Sequence, residues 1–121
     1  TILCGDFFHL DAARLADCGG VYDRASLIAM PPEMRPRYAR HLSAILPAAA
    51  STLLVTMDYP QQQMQGPPFS VAEDEVRRLY RDSFRVRRLF CADILAENSG
   101  FRQRGLSRLQ EQVYLLTPAA E

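Results

Sequence analysis

Short apolar and β-branched runs mark the extended segments of this chain. They occupy residues 2–4, 21–23, 51–57, 84–90 and 113–117, and each run predicts a β-strand. The run at 51–57 is almost continuously apolar, which is typical of a strand buried on both faces inside a parallel sheet. In the run at 84–90, arginines interrupt the apolar alternation.

Two longer stretches carry apolar residues at helical spacing. The first lies between the proline pair at 31–32 and Pro47, and its apolar side chains fall on one face of the predicted helix. At the start of the second, Ser70 fits the N-cap and Glu73 the third helical position of a capping box. Asp11 is predicted to cap a third, shorter helix that ends near residue 18.

The order of these elements predicts an α/β fold with right-handed crossovers. The polar stretch at 96–105 is predicted as a loop, which leaves no helix between the last two strands. One of these strands is therefore expected to run antiparallel, at the edge of a mostly parallel sheet. The 121 residues provide one domain at most. The chain opens without a Met, in what reads as a strand already under way, which predicts a fragment of a longer protein.

Charge and composition exclude several classes of protein. Fourteen arginines balance fourteen acidic residues, which argues against a nucleic-acid or membrane-surface binder. The apolar runs fall short of the roughly 20 residues that a membrane span needs. Three scattered cysteines and two distant histidines form neither a disulfide framework nor a metal motif. We therefore expect a cytoplasmic protein without a metal, a nucleic-acid partner or a membrane anchor.

Several short motifs recur in a known order along the chain. They are Gly5-Asp6-Phe7-Phe8, Tyr22-Asp23-Arg24-Ala25-Ser26-Leu27-Ile28-Ala29, Arg37-Tyr38, Gly66-Pro67-Pro68-Phe69-Ser70-Val71 and Val113-Tyr114-Leu115-Leu116. Together they resemble the thiopurine S-methyltransferase family, particularly its bacterial members, over nearly the whole chain. The most specific feature is the Asp-Arg block followed, about forty residues later, by Gly-Pro-Pro-Phe.

The resemblance implies a fold, a reaction and a missing part. The fold is the Rossmann-like sheet of class I S-adenosylmethionine-dependent methyltransferases, mostly parallel with a terminal antiparallel strand. Residues 1–121 would form the C-terminal part of that single domain, with the glycine loop and the acidic residue that hold the cofactor lying upstream. The reaction transfers a methyl group from S-adenosylmethionine to the sulfur of an aromatic or heterocyclic thiol, and this part alone is expected to be inactive.

The resemblance also implies roles for residues that follow the predicted strands. Asp6 and Phe7 would flank the adenine of the cofactor; the alternative is that Asp6 is a turn residue and Phe7 belongs to the core. Arg24 would reach the pocket between cofactor and substrate, as the catalytic residue, and favour a thiolate or pair with the cofactor carboxylate. Its alternative is a surface ion pair with Asp23, although Asp23 is better suited to orienting Arg24 or a turn than to acting as a base.

Two later segments are the candidates for binding the acceptor. Pro68 and Phe69, with the preceding proline, would form an apolar wall for a flat ring; alternatively, this loop only anchors the Ser70 cap. Arg102 or Arg104 would supply a second positive charge, and the spacing leaves the choice open, with a solvated arginine as the alternative for either.

Other interpretations compete with the enzyme. Acidic residues at 73–75 and 82 lie among the arginines at 77–88, which favours a solvated, charge-paired face over a phosphate site. A noncatalytic α/β interaction module that keeps the methyltransferase fold is the alternative function. Because the strand at 21–23 would lose a neighbour in the fragment, its free edge also predicts self-association.

Overall fold

The computed structural model describes residues 1–119, which form one mixed sheet with helices beside it. The strands are β1 (Gly20–Asp23), β2 (Ser51–Asp58), β3 (Phe84–Asp93) and β4 (Gln110–Pro118). The helices are α1 (Arg35–Ile45), α2 (Glu73–Tyr80) and α3 (Ser99–Gln103). Short 3-10 turns lie at Phe7–His9, Ala12–Leu15, Leu27–Ala29, Gln61–Gln63 and Leu95–Glu97.

The sheet has the strand order β1-β2-β4-β3. β1 and β2 pair in parallel, whereas β4 runs antiparallel to both β2 and β3. The predicted α/β class and the antiparallel final strand are therefore confirmed, but the prediction that this strand lies at the edge is wrong. The arginine-rich β3 takes the edge, where charged side chains remain in water, and the more apolar β4 takes the interior.

The N-terminal segment differs from its prediction. Residues 2–4 form no strand, and Ile2 is 95% exposed. A strand requires backbone hydrogen bonds to a neighbour, and no strand of residues 1–119 lies beside this segment. Asp11 does act as an N-cap, accepting a hydrogen bond from the backbone N–H of Arg14 at 3.1 Å, but the turn that it caps ends at Leu15, earlier than predicted.

Helix α1 matches its pattern, whereas α2 starts later than predicted. In α1, Tyr38, Leu42 and Ile45 are buried along one face. The predicted capping box of α2 is wrong, because Ala72 occupies the N-cap and Glu73 begins the helix. The backbone N–H of Val71 donates to the Met57 carbonyl oxygen at 2.8 Å, and this bond keeps the chain attached to β2 up to that residue.

The predicted loop at 96–105 contains α3. This short helix starts where the Phe101 backbone N–H donates to the Asn98 carbonyl oxygen at 3.0 Å. Phe101 packs against a small core that includes buried Leu106 and Leu109. The chain leaves the helix at Gly105, whose φ of +102° favours glycine. Tertiary packing of one aromatic ring thus overrides the polar composition of the segment.

The main core fills only one side of the sheet. Leu54, Tyr114 and Leu116 are fully buried there, with Val76 and Tyr80 of α2 packed against them. The prediction that β2 is buried on both faces holds only in the middle of the strand, where Leu54, Val55 and Thr56 are all buried. Leu53 points to the same face as Val55 but is 36% exposed.

Candidate functional site

The segments that follow β1 and β2 meet at one end of the sheet. β1 and β2 are parallel; β1 ends at Asp23, opposite Leu54, and β2 continues to Asp58. Beyond the strands, the Phe69 backbone N–H donates to the Ile28 carbonyl oxygen at 2.7 Å. The structure therefore brings together the segment carrying Arg24 and the loop carrying Pro68 and Phe69, at the edge where α/β sheets bind ligands.

Asp23 is a buried carboxylate that holds the turn after β1. It is 3% exposed, and its Oδ1 accepts hydrogen bonds from the backbone N–H groups of Ser26 at 3.2 Å and Leu27 at 3.3 Å. Its Oδ2 accepts from the Tyr38 hydroxyl at 2.6 Å. Burial, followed by the charge of Asp23, raises the pKa of Tyr38, so this phenol stays protonated as a donor. Asp23 therefore fixes the turn that presents Arg24.

Arg24 is exposed and pairs with no carboxylate of residues 1–119. The alternative of a surface ion pair with Asp23 is wrong, because Asp23 is buried at 3% exposure while the Arg24 side chain lies in solvent, and the two form no ion pair. Asp23 thus holds the turn, and the Arg24 guanidinium has no carboxylate partner among residues 1–119. Such a guanidinium is suited to binding an anion.

Asp6 and Phe7 lie near this end of the sheet through Tyr38. Asp6 is exposed, and its Oδ1 accepts from the Phe8 backbone N–H at 2.9 Å, so it caps a 3-10 turn. The half-buried Phe7 ring packs 5.0 Å from the Tyr38 ring and 5.1 Å from the His41 ring, centroid to centroid. Both residues thus have a structural role, and any contact with adenine stays a prediction.

The loop after β2 is tied down by its own polar side chains. The Tyr59 hydroxyl donates to the Pro68 carbonyl oxygen at 2.6 Å. The Gln61 side-chain amide donates to the Met64 carbonyl oxygen at 2.8 Å and accepts from the Ser70 backbone N–H at 2.9 Å. Ser70 therefore serves the loop instead of capping α2.

Gly66 allows the Phe69 ring to pack closely over the loop. Its φ is +80°, and a Cβ at this position would lie 2.7 Å from Cδ1 of the Phe69 ring. A side chain here would meet both backbone strain and the ring itself. The glycine of the Gly-Pro-Pro-Phe motif is thus required by the position of the ring.

The loop that carries the two candidate arginines docks onto the loop after β2. The Gln63 side chain donates to the Ser107 hydroxyl at 2.9 Å and accepts from its backbone N–H at 2.8 Å. Arg102 and Arg104 are both exposed. Burial raises the pKa of Tyr59, and the choice between the two arginines stays open. A role for Arg102 stays a prediction.

Two features of the site were not predicted from the sequence: a buried arginine in α1 and the polar side chains that hold the loop after β2. Arg35, the first residue of α1, is 2% exposed and bonds to the carboxylate of Glu75 in α2. Its spacing from Tyr38 and Leu42 places it on the apolar face of α1, and this is the signal that was available. Tyr59 and Gln61 had no such signal, because their partners are set by the path of the loop.

The arginines of α2 and β3 form the charge-paired face that was predicted, at least around Glu73. This carboxylate binds Arg77 at 2.9 Å and Arg88 at 3.0 Å.

All three cysteines are free thiols. Within residues 1–119, no three His, Cys, Asp or Glu side chains gather to hold a metal ion, and no helix is long and apolar enough to cross a membrane.

An α/β domain with a mixed sheet and polar side chains gathered where parallel strands end is consistent with a methyltransferase-like fold. A sequence model of the family described as Thiopurine S-methyltransferase matches residues 1–119. The chain belongs to the thiopurine S-methyltransferase family.

Curated relatives agree with this assignment. The chain is 60% identical over 115 residues to a thiopurine S-methyltransferase of Azotobacter vinelandii, covering 95% of this chain and 53% of the relative. It is 55% identical over 116 residues to one of Pseudomonas aeruginosa, covering 96% and 53%. For Nitrosospira multiformis the identity is 54% over 115 residues, covering 95% and 52%. The chain thus spans about half the length of these relatives.

Proposed function

We propose that this chain is part of an enzyme that transfers the methyl group of S-adenosylmethionine to the sulfur of an aromatic or heterocyclic thiol. Membership of the family supports the reaction. The observation that carries the proposal is the environment of Arg24. Buried Asp23 holds the turn that contains it, its side chain has no acidic partner in residues 1–119, and the Phe69 loop is bonded to the same segment.

Methyl transfer of this kind depends mainly on how the methyl donor and the thiol are positioned. S-adenosylmethionine supplies an electrophilic methyl group on a sulfonium, and an aromatic thiol ionises readily, so no strong base is needed. Holding two reactants in line is worth about 7–11 kcal/mol in favourable systems. Arg24 would stabilise the thiolate or hold the cofactor carboxylate. Asp6 and Phe7 would contact the adenine, and the acceptor ring would lie against Pro68 and Phe69.

A second positive charge beside the acceptor completes the proposed site. Arg102 was the residue predicted for this role, with Arg104 as the alternative. The bonds between Gln63 and Ser107 dock this segment onto the loop after β2, which supports a role for either arginine. Replacing each arginine by Ala in the longer protein distinguishes the two. Loss of the arginine beside the acceptor should raise the KM for an anionic thiol, whereas loss of the other should not.

The proposed fold is the C-terminal part of a class I, Rossmann-like methyltransferase domain. β4 is antiparallel to both its neighbours, so β1, β2 and β3 run in one direction, and this arrangement supports the assignment. The relatives' length supports a further N-terminal part, which we propose holds most of the cofactor contacts. A cytoplasmic location stays a prediction from the scattered cysteines.

Methyl transfer by the full-length protein tests the proposed function. We expect labelled methyl groups to pass from S-adenosylmethionine to a thiophenol, and not to the phenol of the same shape. Selenium and tellurium analogues of the acceptor extend the test to related nucleophiles. A folded full-length protein that methylates none of them contradicts the proposal and favours the noncatalytic interaction module.

The 121-residue chain by itself is proposed to be inactive. Calorimetric titration with S-adenosylmethionine should give no measurable heat of binding for this chain, whereas the full-length protein should bind. Micromolar binding by the 121-residue chain would contradict the assignment of the main cofactor contacts to the N-terminal part.

A further inference from the structure

Arg35 is a charged side chain enclosed within the fold. It is 2% exposed, although arginine is rarely buried without a specific partner. Its Nε donates to the Met30 carbonyl oxygen at 3.0 Å. Its Nη1 donates to both carboxylate oxygens of Glu75, at 3.1 and 3.0 Å. One guanidinium thus joins the segment after β1 to helix α2.

The same guanidinium also lies over the ring of Phe69. The central carbon of the Arg35 guanidinium is 5.5 Å from the centroid of the Phe69 ring, within the range of a cation–π contact. The Phe69 backbone is held beside the same segment, because its N–H donates to the Ile28 carbonyl oxygen at 2.7 Å. Arg35 therefore contacts the ring from the side chain while Ile28 holds its backbone.

Stability alone gives a poor account of this buried arginine. Ion pairs removed from water are often no more stabilising than apolar residues of similar size. Here Nη2 of Arg35 is also buried without a hydrogen-bond partner among residues 1–119, which adds a desolvation cost. Lysine would supply the charge, but it lacks the planar guanidinium and the forked donors that reach Met30 and Glu75 together.

We propose that Arg35 is a positioning residue that fixes the Phe69 ring as a wall of the acceptor site. The inference rests on the proposed function, in which a flat aromatic thiol lies against this ring. Arg35 sets the ring relative to Met30 and therefore relative to the segment that carries Arg24. Removing it should weaken the binding of aromatic acceptors while leaving the binding of the methyl donor unchanged.

The decisive variant replaces both partners of the ion pair by apolar side chains of similar length. In the full-length protein, Arg35→Met with Glu75→Met removes the charges together, so that neither is left buried alone. We expect the melting temperature to stay within a few degrees and the KM for a thiophenol to rise about fivefold or more. The KM for S-adenosylmethionine should not change. A double variant with the KM of the wild type for the aromatic thiol overturns the proposal.

Two further variants separate positioning from general stabilisation. Arg35→Lys keeps a charge for Glu75 but loses the planar guanidinium, so it should raise the same KM even if the double variant fails to fold. Glu73→Gln breaks ion pairs with Arg77 and Arg88 on the surface and should leave every kinetic constant unchanged. An unchanged KM in Arg35→Lys contradicts a role for the guanidinium.

Amide hydrogen exchange measures how firmly the Phe69 backbone is held, without any catalysis. In Arg35→Lys and in the double variant, the Phe69 amide should exchange about tenfold faster, while amides in the middle of α1 keep their protection. Unchanged protection of Phe69 overturns the proposal even for an inactive protein. If the full-length wild type methylates no thiol but its Phe69 responds to Arg35, the proposed function fails and the positioning role survives.

Discussion

The two faces of the sheet differ sharply in how completely this chain covers them. On the face toward α1 and α2, Asp23, Leu54 and Tyr114 are each 3% exposed or less. On the other face, Tyr22 is 66%, Leu53 36% and Phe90 50% exposed. Neighbouring residues of one strand, such as Tyr22 and Asp23, thus have opposite environments, because side chains alternate across a strand.

The contrast shows which face of the sheet residues 1–119 pack completely. The helix-covered face has a continuous apolar core and a buried carboxylate, Asp23, whose two oxygens both accept hydrogen bonds. The uncovered face, defined by Tyr22, Leu53 and Phe90, presents large apolar side chains next to β1, which pairs with β2 alone. Exposed apolar patches of this kind mark interaction surfaces. We propose that the remaining part of the longer protein packs on the uncovered face.

The largest effect is expected on the covered face, at Asp23. Asp23→Ala leaves the Tyr38 hydroxyl and the Leu27 backbone N–H buried without an acceptor, and each such group costs about 1–3 kcal/mol. We expect a loss of roughly 3 kcal/mol in the free energy of unfolding, measured by urea denaturation. Asp17→Ala, an exposed carboxylate, is the control and should change stability by less than about 0.5 kcal/mol. Equal losses in both variants would refute the anchoring role of Asp23.

A smaller effect should separate two buried phenols on the same face. Tyr38→Phe removes a donor to Asp23 and should cost about 1–3 kcal/mol. The Tyr80 hydroxyl is buried without a hydrogen-bond partner among residues 1–119, so Tyr80→Phe should stay within about 0.5 kcal/mol. Denaturation at neutral pH measures both, and a costly Tyr80→Phe would mean that its hydroxyl is bonded after all.

The same phenols predict loss of stability in alkaline solution. Burial raises the pKa of Tyr38 and of Tyr80 above the ordinary 10.0, so above about pH 10 the unfolded chain releases protons that the folded chain keeps. The free energy of unfolding should therefore fall as the pH rises past 10, and less steeply in Tyr80→Phe. A slope that is the same in both proteins would show that Tyr80 ionises equally well when folded.

The smallest effect on stability is expected on the uncovered face, where the state of association should change instead. We expect the 121-residue chain to self-associate through the edge of β1 and this face. Tyr22→Arg should shift it toward monomer at low micromolar concentration, with a melting temperature close to that of the wild type. Size-exclusion chromatography with light scattering measures this. A wild-type chain that is a well-folded monomer with sharp amide dispersion would contradict the proposed self-association.

Local sequence patterns predicted the elements whose partners lie nearby, and missed what distant contacts decide. The spacing of Tyr38, Leu42 and Ile45 was enough to place α1, since one apolar face needs only something to pack on. The start of α2 depended on a bond from Val71 to Met57, which no local pattern contains. The interior position of β4 depended on its pairing with β2 on one side and β3 on the other, and the sequence of β4 alone does not contain this information.

The candidate site divides in the same way. The motif around Arg24 was recognisable because its key bonds, from the backbone N–H groups of Ser26 and Leu27 to Asp23, lie within a few residues. The roles of Arg35 and Gln61 depend on segments brought together by folding. A buried arginine on an apolar helix face is nevertheless a signal that sequence reading can use.

The activity of an Arg24→Ala variant of the full-length protein tests the central claim most directly. The claim is that the turn held by Asp23 presents Arg24 to the reacting groups. We predict that kcat/KM for an aromatic thiol falls about tenfold or more, or roughly 1.4 kcal/mol of transition-state stabilisation, with the melting temperature unchanged. Arg81→Ala, an exposed arginine on the α2 side of the molecule, should keep the wild-type rate. An unchanged rate in Arg24→Ala would contradict the claim and return Arg24 to an ordinary surface residue.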